Sequence, residues 1–226
     1  MENVKMQIRD AEIIDLKKIK KDGSISEDLV THVAGTLSNG GIVIAPIDNI
    51  YAVIGLAQPD VEKKIVRIIK KPGKRFVRLI SSFKMLDDLA MLTKVDYDFL
   101  NRIWPGEVTV ILRRRNGVVQ HNSMAFRFPR SKYMLSIISR VDMPLIFANC
   151  YRGIGNYPIF RKGDIVRYYR QNVDLILIID EFCRRHPRST IIDITENNLK
   201  IVREGRISSE EIKSLYFLGK DDIRDY

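Results

Sequence analysis

The chain is predicted to fold as a layered α/β domain, and three observations support this class. Between residues 24 and 81, segments of helical periodicity alternate with apolar runs in the order helix, strand, helix, strand. The 226 residues, 45% of them hydrophobic, are enough to bury one sizeable core. No repeat or linker-like tract divides the sequence, so we expect a single domain over residues 1–226.

The first elements of this pattern lead into an apolar strand. Residues 12–16 are predicted to form an edge strand, and the spacing of Ser24 and Glu27 is typical of a capping box at the start of an amphipathic helix. A strand follows at residues 40–51, and Pro46 is expected to end its hydrogen-bonding ladder. Polar residues at the exit of a strand indicate either a simple turn or a functional site.

The second helix and strand are followed by shorter elements. A helix is predicted from Pro59 to residues 71–73, and a strand at residues 76–81. Asp96 and Asp164 are expected to cap later helices. The remaining helices are predicted at residues 85–92, 96–103, 134–138 and 164–169 and after Ser208. The remaining strands are predicted at residues 108–112, 124–128, 144–149, 173–179, 191–194 and 199–202.

The charge and the cysteine content restrict the class of protein. A formal net charge of +10 favours a polyanionic partner such as RNA, a nucleotide or an acidic lipid, although a merely basic protein has the same charge. Cys150 and Cys183 are too few for a disulfide framework, which favours a reducing, cytoplasmic compartment. No apolar run is long enough to span a membrane, and the three histidines lack metal-ligand spacing, so we expect neither membrane insertion nor a metal site.

Cations are concentrated around one predicted turn. Residues 70–75 read Lys-Lys-Pro-Gly-Lys-Arg, which indicates either a clamp for phosphate groups or lysines that interact with a helix dipole. Arg127 lies among apolar residues and must therefore face solvent or meet an anion in a cleft. Asn149 ends a second apolar strand, as Asp48 ends the first. These residues define the predicted site.

Several short segments match, in order, the motifs of a known family. Gly40-Gly41 through Tyr51 matches Gly-Gly-x-(apolar)-Pro-Thr-Asp-Thr-x-Tyr-Gly, and Trp104-Pro105-Gly106 through Thr109 matches Trp-Pro-Gly-Pro-x-Thr. The further matches are Ile68–Pro72, Phe126–Pro129, Pro144–Asn149, Val173–Ile176, Ser189–Asp193 and Val202–Gly205. Over residues 25–212 the chain therefore resembles the YrdC/YciO-like family, whose characterised members are threonylcarbamoyl-AMP synthases.

The resemblance implies a fold and a reaction. The fold would be a twisted mixed sheet with flanking helices and a concave basic face. The activity would be that of a nucleotidyltransferase, which joins L-threonine, bicarbonate and ATP, with Mg²⁺, into threonylcarbamoyl-AMP and pyrophosphate for the modification of adenosine 37 in tRNA. ATP, Mg²⁺, L-threonine and bicarbonate are thus the implied ligands, and RNA, either tRNA or double-stranded RNA, is the implied partner.

The resemblance also implies roles for individual residues. Lys70 matches the motif lysine, Arg127 the arginine of Arg-x-Pro, and Asn149 the asparagine of Ser-x-Asn, which implies catalytic roles for these three. Nucleotide-binding roles are implied for Lys71, Lys74, Ser189, Thr190 and Arg203. Substrate-binding roles are implied for Asp48, Asn49 and Tyr51.

The chain is a divergent member of this pattern. Ile47 and Asn49 stand where two threonines are usual, Ala52 replaces a glycine, and Phe147 stands where the family has a serine. Three functions therefore remain open: a divergent synthase, a non-catalytic RNA-binding relative, and a nucleotide-binding or assembly module.

Overall fold

The computed structural model describes residues 10–16, 19–20, 22–48, 50–116, 122–152, 157–179, 188–196 and 198–218. The helices are α1 (Glu27–Ser38), α2 (Pro59–Ile69), α3 (Phe83–Asp87), α4 (Lys94–Ile103), α5 (Lys132–Val141), α6 (Lys162–Tyr169) and α7 (Ser209–Phe217). The strands are β1 (Glu12–Asp15), β2 (Val43–Ile47), β3 (Ile50–Leu56), β4 (Val77–Leu79), β5 (Val108–Arg113), β6 (Ser123–Arg127), β7 (Leu145–Asn149), β8 (Tyr151–Arg152), β9 (Tyr157–Pro158), β10 (Leu175–Ile178), β11 (Thr190–Asp193) and β12 (Lys200–Arg203).

Ten strands form one mixed sheet, in the order β1-β10-β2-β3-β7-β4-β6-β5-β11-β12. The pairs β1–β10, β10–β2, β4–β6 and β11–β5 are parallel, and the other pairs are antiparallel. Strands β8 and β9 pair separately. The predicted α/β class is confirmed, and the expected edge strand at residues 12–16 does lie at one edge.

The buried residues form two clusters. The larger one surrounds β2, β3, β7 and β10 and includes the apolar sides of α1, α2 and α5. Gly55 allows α2 to pack closely on β3, because a Cβ there would lie 2.5 Å from Cγ1 of Val61. The second cluster lies under α4 and α7 and contains Trp104, whose indole N–H donates to Val108 O at 2.8 Å. Among the described residues, no helix has both the length and the apolar character that a membrane span needs.

Three predicted helix caps were wrong by a few residues. The cap of α1 is Ser26, whose hydroxyl accepts from Leu29 N at 3.4 Å, whereas Ser24 bonds instead to Asp22. Asp96 lies at the third residue of α4 and forms a capping box with Thr93, and α6 begins after Arg161. The predicted position of the Ser208 cap of α7 is confirmed.

The strand predicted at residues 40–51 is a hairpin. β2 continues through Pro46 to Ile47, and the chain turns at Asp48, with φ of 53°, before it returns in β3. Pro46 does not end the β2–β3 ladder, in which it pairs with Tyr51. It is tolerated there because β10 pairs with β2 only at Val43 and Ile44, so no third strand of the described part lies beside Pro46. Pro46 O accepts a hydrogen bond from the Tyr133 hydroxyl. Asn49 lies outside the described part of the chain.

Candidate nucleotide-binding cleft

A cleft opens on one face of the sheet and has a volume of about 800 Å³, including its open mouth. The strand register places its lining on that face: Val77 of β4 lies opposite Phe147 of β7, and Thr109 of β5 lies opposite Ile191 of β11. All four residues line the cleft. The middle of the sheet therefore forms the floor of the cleft.

Five basic side chains line the cleft, and no acidic side chain among the described residues does so. They come from separate parts of the chain: Lys71 and Lys74 follow α2, Arg127 ends β6, Arg188 precedes β11, and Arg203 ends β12. We call these five residues the cationic side. Partial desolvation by the surrounding protein, followed by repulsion from Lys71 and Arg203, lowers the pKa of the Lys74 ammonium group.

Arg127 is buried and is held by Asp48. Only 8% of its side chain is exposed, and its Nη2 atom donates to Oδ2 of Asp48. Oδ1 of Asp48 accepts from the backbone N–H groups of Arg130, at 3.1 Å, and Ser131, at 3.2 Å, just before α5. Both carboxylate oxygens are thus occupied. Arg127 Nε has no hydrogen-bond acceptor among the described residues.

A second hydrogen-bonded group surrounds Ser189. Arg203 Nη2 donates to Ser189 O at 2.7 Å, and the Ser189 and Thr109 hydroxyl oxygens lie 3.2 Å apart. Arg203 Nε has no acceptor among the residues that the structure describes. Burial, followed by repulsion from Arg188, lowers the pKa of the Arg203 guanidinium. Two buried arginine Nε atoms beside the cleft thus have no acceptor among the described residues, which is costly for the fold.

Tyr151 lies between two of the cations. Lys71 Nζ lies 4.0 Å from the centre of its ring, and Arg188 Cζ lies 5.9 Å from it. The Tyr169 hydroxyl donates to Tyr151 O at 3.1 Å and accepts from Tyr151 N at 3.0 Å, which fixes the backbone at this point. Burial raises the pKa of Tyr169, so this hydroxyl remains protonated and able to donate.

The opposite end of the cleft is apolar. Ile47, Ile50 and Ala52 of the β2–β3 hairpin and Phe147 of β7 line it, and we call these four the apolar side. In the sheet order β2-β3-β7-β4-β6-β5-β11-β12 they lie on one side of β4, whereas Arg127 and Arg203 lie on the other. The half-buried Phe147 both lines the cleft and packs on the larger core cluster.

The comparison with protein families agrees with this geometry. The model of the Sua5_yciO_yrdC family, described as telomere recombination, matches residues 35–205, which is most of the chain. The chain belongs to the Sua5/YciO/YrdC family. An uncharacterised protein of Haemophilus influenzae is 28% identical over 189 residues, which are 78% of this chain and 89% of that protein.

This chain is also similar to one curated enzyme and to two proteins with solved structures. The threonylcarbamoyl-AMP synthase of Pyrococcus abyssi is 25% identical over 202 residues, but these cover only 58% of that enzyme, against 84% of this chain. The structure of P. abyssi Sua5 complexed with L-threonine has a TM-score of 0.76 at 23% identity, and covers 90% of this chain and 60% of that one. Escherichia coli YciO has a TM-score of 0.73 at 18% identity, with 90% and 98% covered. These structures share the large twisted mixed sheet with flanking helices.

The structure brings together six of the site residues that the sequence predicted. These are Lys71, Lys74, Arg127, Asn149, Ser189 and Arg203, which all line the cleft. Sequence reasoning missed Thr109, Tyr151 and Arg188 as lining residues. Thr109 and Tyr151 carry a signal in hindsight, because Thr109 ends the Trp-Pro-Gly motif and Tyr151 follows Asn149 by two residues.

Four other predicted site residues do not line the cleft. Lys70 is exposed and ends α2 in a left-handed conformation, with φ of 53°. The buried Tyr51 hydroxyl donates to Ile179 O and accepts from Ile179 N, and the Thr190 hydroxyl donates to Ile207 O. The Asp48 carboxylate accepts a hydrogen bond from Arg127 and does not itself line the cleft. These contacts occupy Tyr51, Thr190 and Asp48 within the fold, and Asn49 lies outside the described residues.

The residues of the cleft fit a nucleoside triphosphate better than a metal ion that is held by protein side chains alone. The five cations of the cationic side match an anion that carries many acceptor oxygens. The described residues contain no cluster of three or more His, Cys, Asp or Glu side chains suited to a metal. Mg²⁺ would therefore be held mainly by the phosphate oxygens of the nucleotide.

Proposed function

We propose that the chain is a divergent L-threonylcarbamoyladenylate synthase, a nucleotidyltransferase that binds ATP with Mg²⁺ in the cleft and acts in the cytoplasm on behalf of tRNA modification. The cationic side, in which Asp48 fixes Arg127 and Ser189 fixes Arg203, is the observation that carries this proposal. The family supplies the type of reaction, because one relative is named a threonylcarbamoyl-AMP synthase.

The reaction requires a pentacoordinate phosphorus to be stabilised while charge moves onto pyrophosphate. The amine of threonine and bicarbonate first form N-carboxythreonine with loss of water, and an oxygen of the carboxylate on nitrogen then attacks the α-phosphorus of ATP. A new P–O bond forms as the bond to the bridging oxygen breaks, and pyrophosphate leaves with the electron pair. Positively charged donors that are fixed before the reaction stabilise such a transition state most effectively.

Residues of this chain have distinct parts in that reaction. Arg127 is fixed by Asp48 and by burial, so its remaining donors are oriented before the ligand enters. Arg203 is fixed through Ser189, and Lys71 and Lys74 approach from the turn after α2. Asn149 offers an amide at the border between the cationic and apolar sides, where the amino acid and the phosphates of the nucleotide would meet.

The proposal is tested with Arg203→Gln and a control on the same strand. Hydrogen bonds to charged groups contribute about 1.5–3 kcal/mol, so the variant should bind ATP roughly 10- to 150-fold more weakly in calorimetric titration. Lys200→Gln removes the same charge from an exposed position of β12 and should leave the affinity unchanged. Pyrophosphate release is then measured with ATP, threonine and bicarbonate, and omission of threonine should abolish it.

A second candidate function is a non-catalytic relative that binds nucleotides or RNA, either tRNA or double-stranded RNA. The net charge of +10 and the apolar side of the cleft, where the family pattern has hydroxyl groups, favour it. ATP binding without threonine-dependent pyrophosphate release would support this candidate and contradict the synthase. RNA binding by phosphate contacts should weaken with salt, with a logarithmic slope of about 0.7–0.9 per contact, and a flat salt dependence would contradict it.

A further inference from the structure

A second basic groove adjoins the cleft. It lies at the ends of β4, β5 and β6, is lined by Lys74, Arg75, Arg78 and Arg114, and has a volume of about 1090 Å³, including its open mouth. Lys74 lines both this groove and the cleft, so the two cavities meet at that side chain. The groove has no part in the proposed adenylation.

The groove carries more positive charge than its surroundings balance. Four cations line it, and Glu62 is the single acidic residue among its described lining. Glu62 Oε1 lies 3.6 Å from Arg78 Nη2, which leaves an excess of three positive charges. Burial, opposed by Glu62 and reinforced by repulsion from Arg114, lowers the pKa of Arg78.

The fold brings Arg75, Arg78 and Arg114 to the lining of one groove. The backbone N–H of Arg114 donates to Asn122 O at 2.8 Å, which fixes the end of β5 beside the start of β6. Arg78 is only 22% exposed, and its neighbour Arg114 repels it. Neither Arg75 nor Arg114 forms an ion pair with any residue that the structure describes. Like charges held together in this way are stabilised by an anion that enters between them.

The geometry points to a second phosphate-binding site in this groove, formed by Arg75, Arg78 and Arg114 and assisted by the exposed amide of Asn122 and hydroxyl of Ser123. Three guanidinium groups offer many donors, and a phosphate group with its several oxygens accepts more of them than a carboxylate does. The phosphate belongs either to a separate small phosphate compound or to a nucleotide chain that extends from the cleft across Lys74.

Inorganic pyrophosphate and a 5′-phosphorylated tetra-adenylate are the probes that distinguish these two sources. Each is titrated into the wild-type chain and into Arg75→Gln/Arg114→Gln, whose altered side chains break no described ion pair. If the groove binds phosphate, at least one probe should lose roughly tenfold in affinity. Loss for the tetra-adenylate alone identifies an extended nucleotide chain, and loss for pyrophosphate identifies a separate phosphate compound.

The matched control is the double variant Arg102→Gln/Arg113→Gln, which removes two charges from exposed positions outside both cavities. It should change the affinity of either probe less than twofold, apart from the general effect of net charge. The inference is overturned if the groove variant and this control weaken both probes equally. ATP titration of the groove variant reports on the cleft separately, so failure of the proposed adenylation leaves this test intact.

Discussion

The cationic side and the apolar side of the cleft are built in different ways. The cations converge from four separate parts of the chain, and hydrogen bonds to Asp48 and Ser189 fix Arg127 and Arg203. The apolar side comes from one hairpin and its neighbouring strand, and offers no hydroxyl or amide from Ile47, Ile50, Ala52 or Phe147. The cleft is therefore suited to phosphate groups over one part and to apolar groups over the other, so in the proposed function the nucleotide and the amino acid would be recognised separately.

Removal of the carboxylate that joins the two sides should have the largest effect. Asp48 lies at the tip of the apolar hairpin and bonds the buried Arg127. In Asp48→Ala the guanidinium stays buried without its counterion, and we expect the free energy of unfolding to fall by roughly 3–5 kcal/mol. Urea denaturation followed by circular dichroism measures this change.

Asp98→Ala is the control for that variant. Asp98 is exposed on α4, and its replacement should leave the urea midpoint nearly unchanged. A fall in stability for Asp48→Ala no larger than that of the control would show that Arg127 does not depend on Asp48.

Restoration of a hydroxyl on the apolar side should have a smaller effect on ligand binding and should act there on the amino acid alone. Loss of the contacts between Phe147 and the larger core cluster also lowers the free energy of unfolding, so binding is measured on the folded fraction. A neutral hydrogen bond contributes about 0.5–1.5 kcal/mol, so Phe147→Ser should raise threonine-dependent pyrophosphate release about 2- to 13-fold at subsaturating threonine. The affinity for ATP should not change. Phe217→Ser, at a position 52% exposed on α7, is the control. A loss of ATP affinity in Phe147→Ser would show that the two sides are not separable.

The smallest expected effect is a pH dependence of ATP binding that comes from Lys74. Its pKa is lowered in the free protein, and a bound polyphosphate would raise it again, so binding takes up a proton. The affinity should be greatest below the lowered pKa and should fall, by less than tenfold, as the pH rises towards the ordinary value of 10.5. In Lys74→Arg, calorimetry should show a flat profile over this range, whereas Lys84→Arg should retain the fall.

The sequence predicted most elements because their periodicity and end signals are local. The helix from Pro59 and the strand pair at residues 191–194 and 199–202 are examples. The β2–β3 hairpin was not predicted, because it depends on a left-handed Asp48 and on a Pro46 that stays paired within the hairpin. Contacts from distant residues hold both, since Arg127 bonds the Asp48 carboxylate and Tyr133 bonds Pro46 O.

The difference between local signals and long-range contacts also decides which site residues could be predicted. The charge of residues 70–75 and the isolated Arg127 were visible in the sequence, and Lys71, Lys74 and Arg127 do line the cleft. The direction of a side chain was not visible: Lys70, which caps the C-terminus of α2 in a left-handed conformation, does not line the cleft, whereas Lys71 does. Nor does a sequence show that Asp48 faces Arg127, 79 positions away, since that contact depends on the sheet order.

The single tryptophan gives this chain a useful optical property. Trp104 is 4% exposed, lies in the second core cluster near α4, and is not among the residues of the cleft or the groove. Its emission should therefore report loss of the fold and remain constant as ligands enter either cavity. Tyr151, beside Lys71 and Arg188, lies in the cleft itself, so tyrosine absorbance should respond to a ligand there. Folding and occupancy can thus be followed in one sample without an attached label.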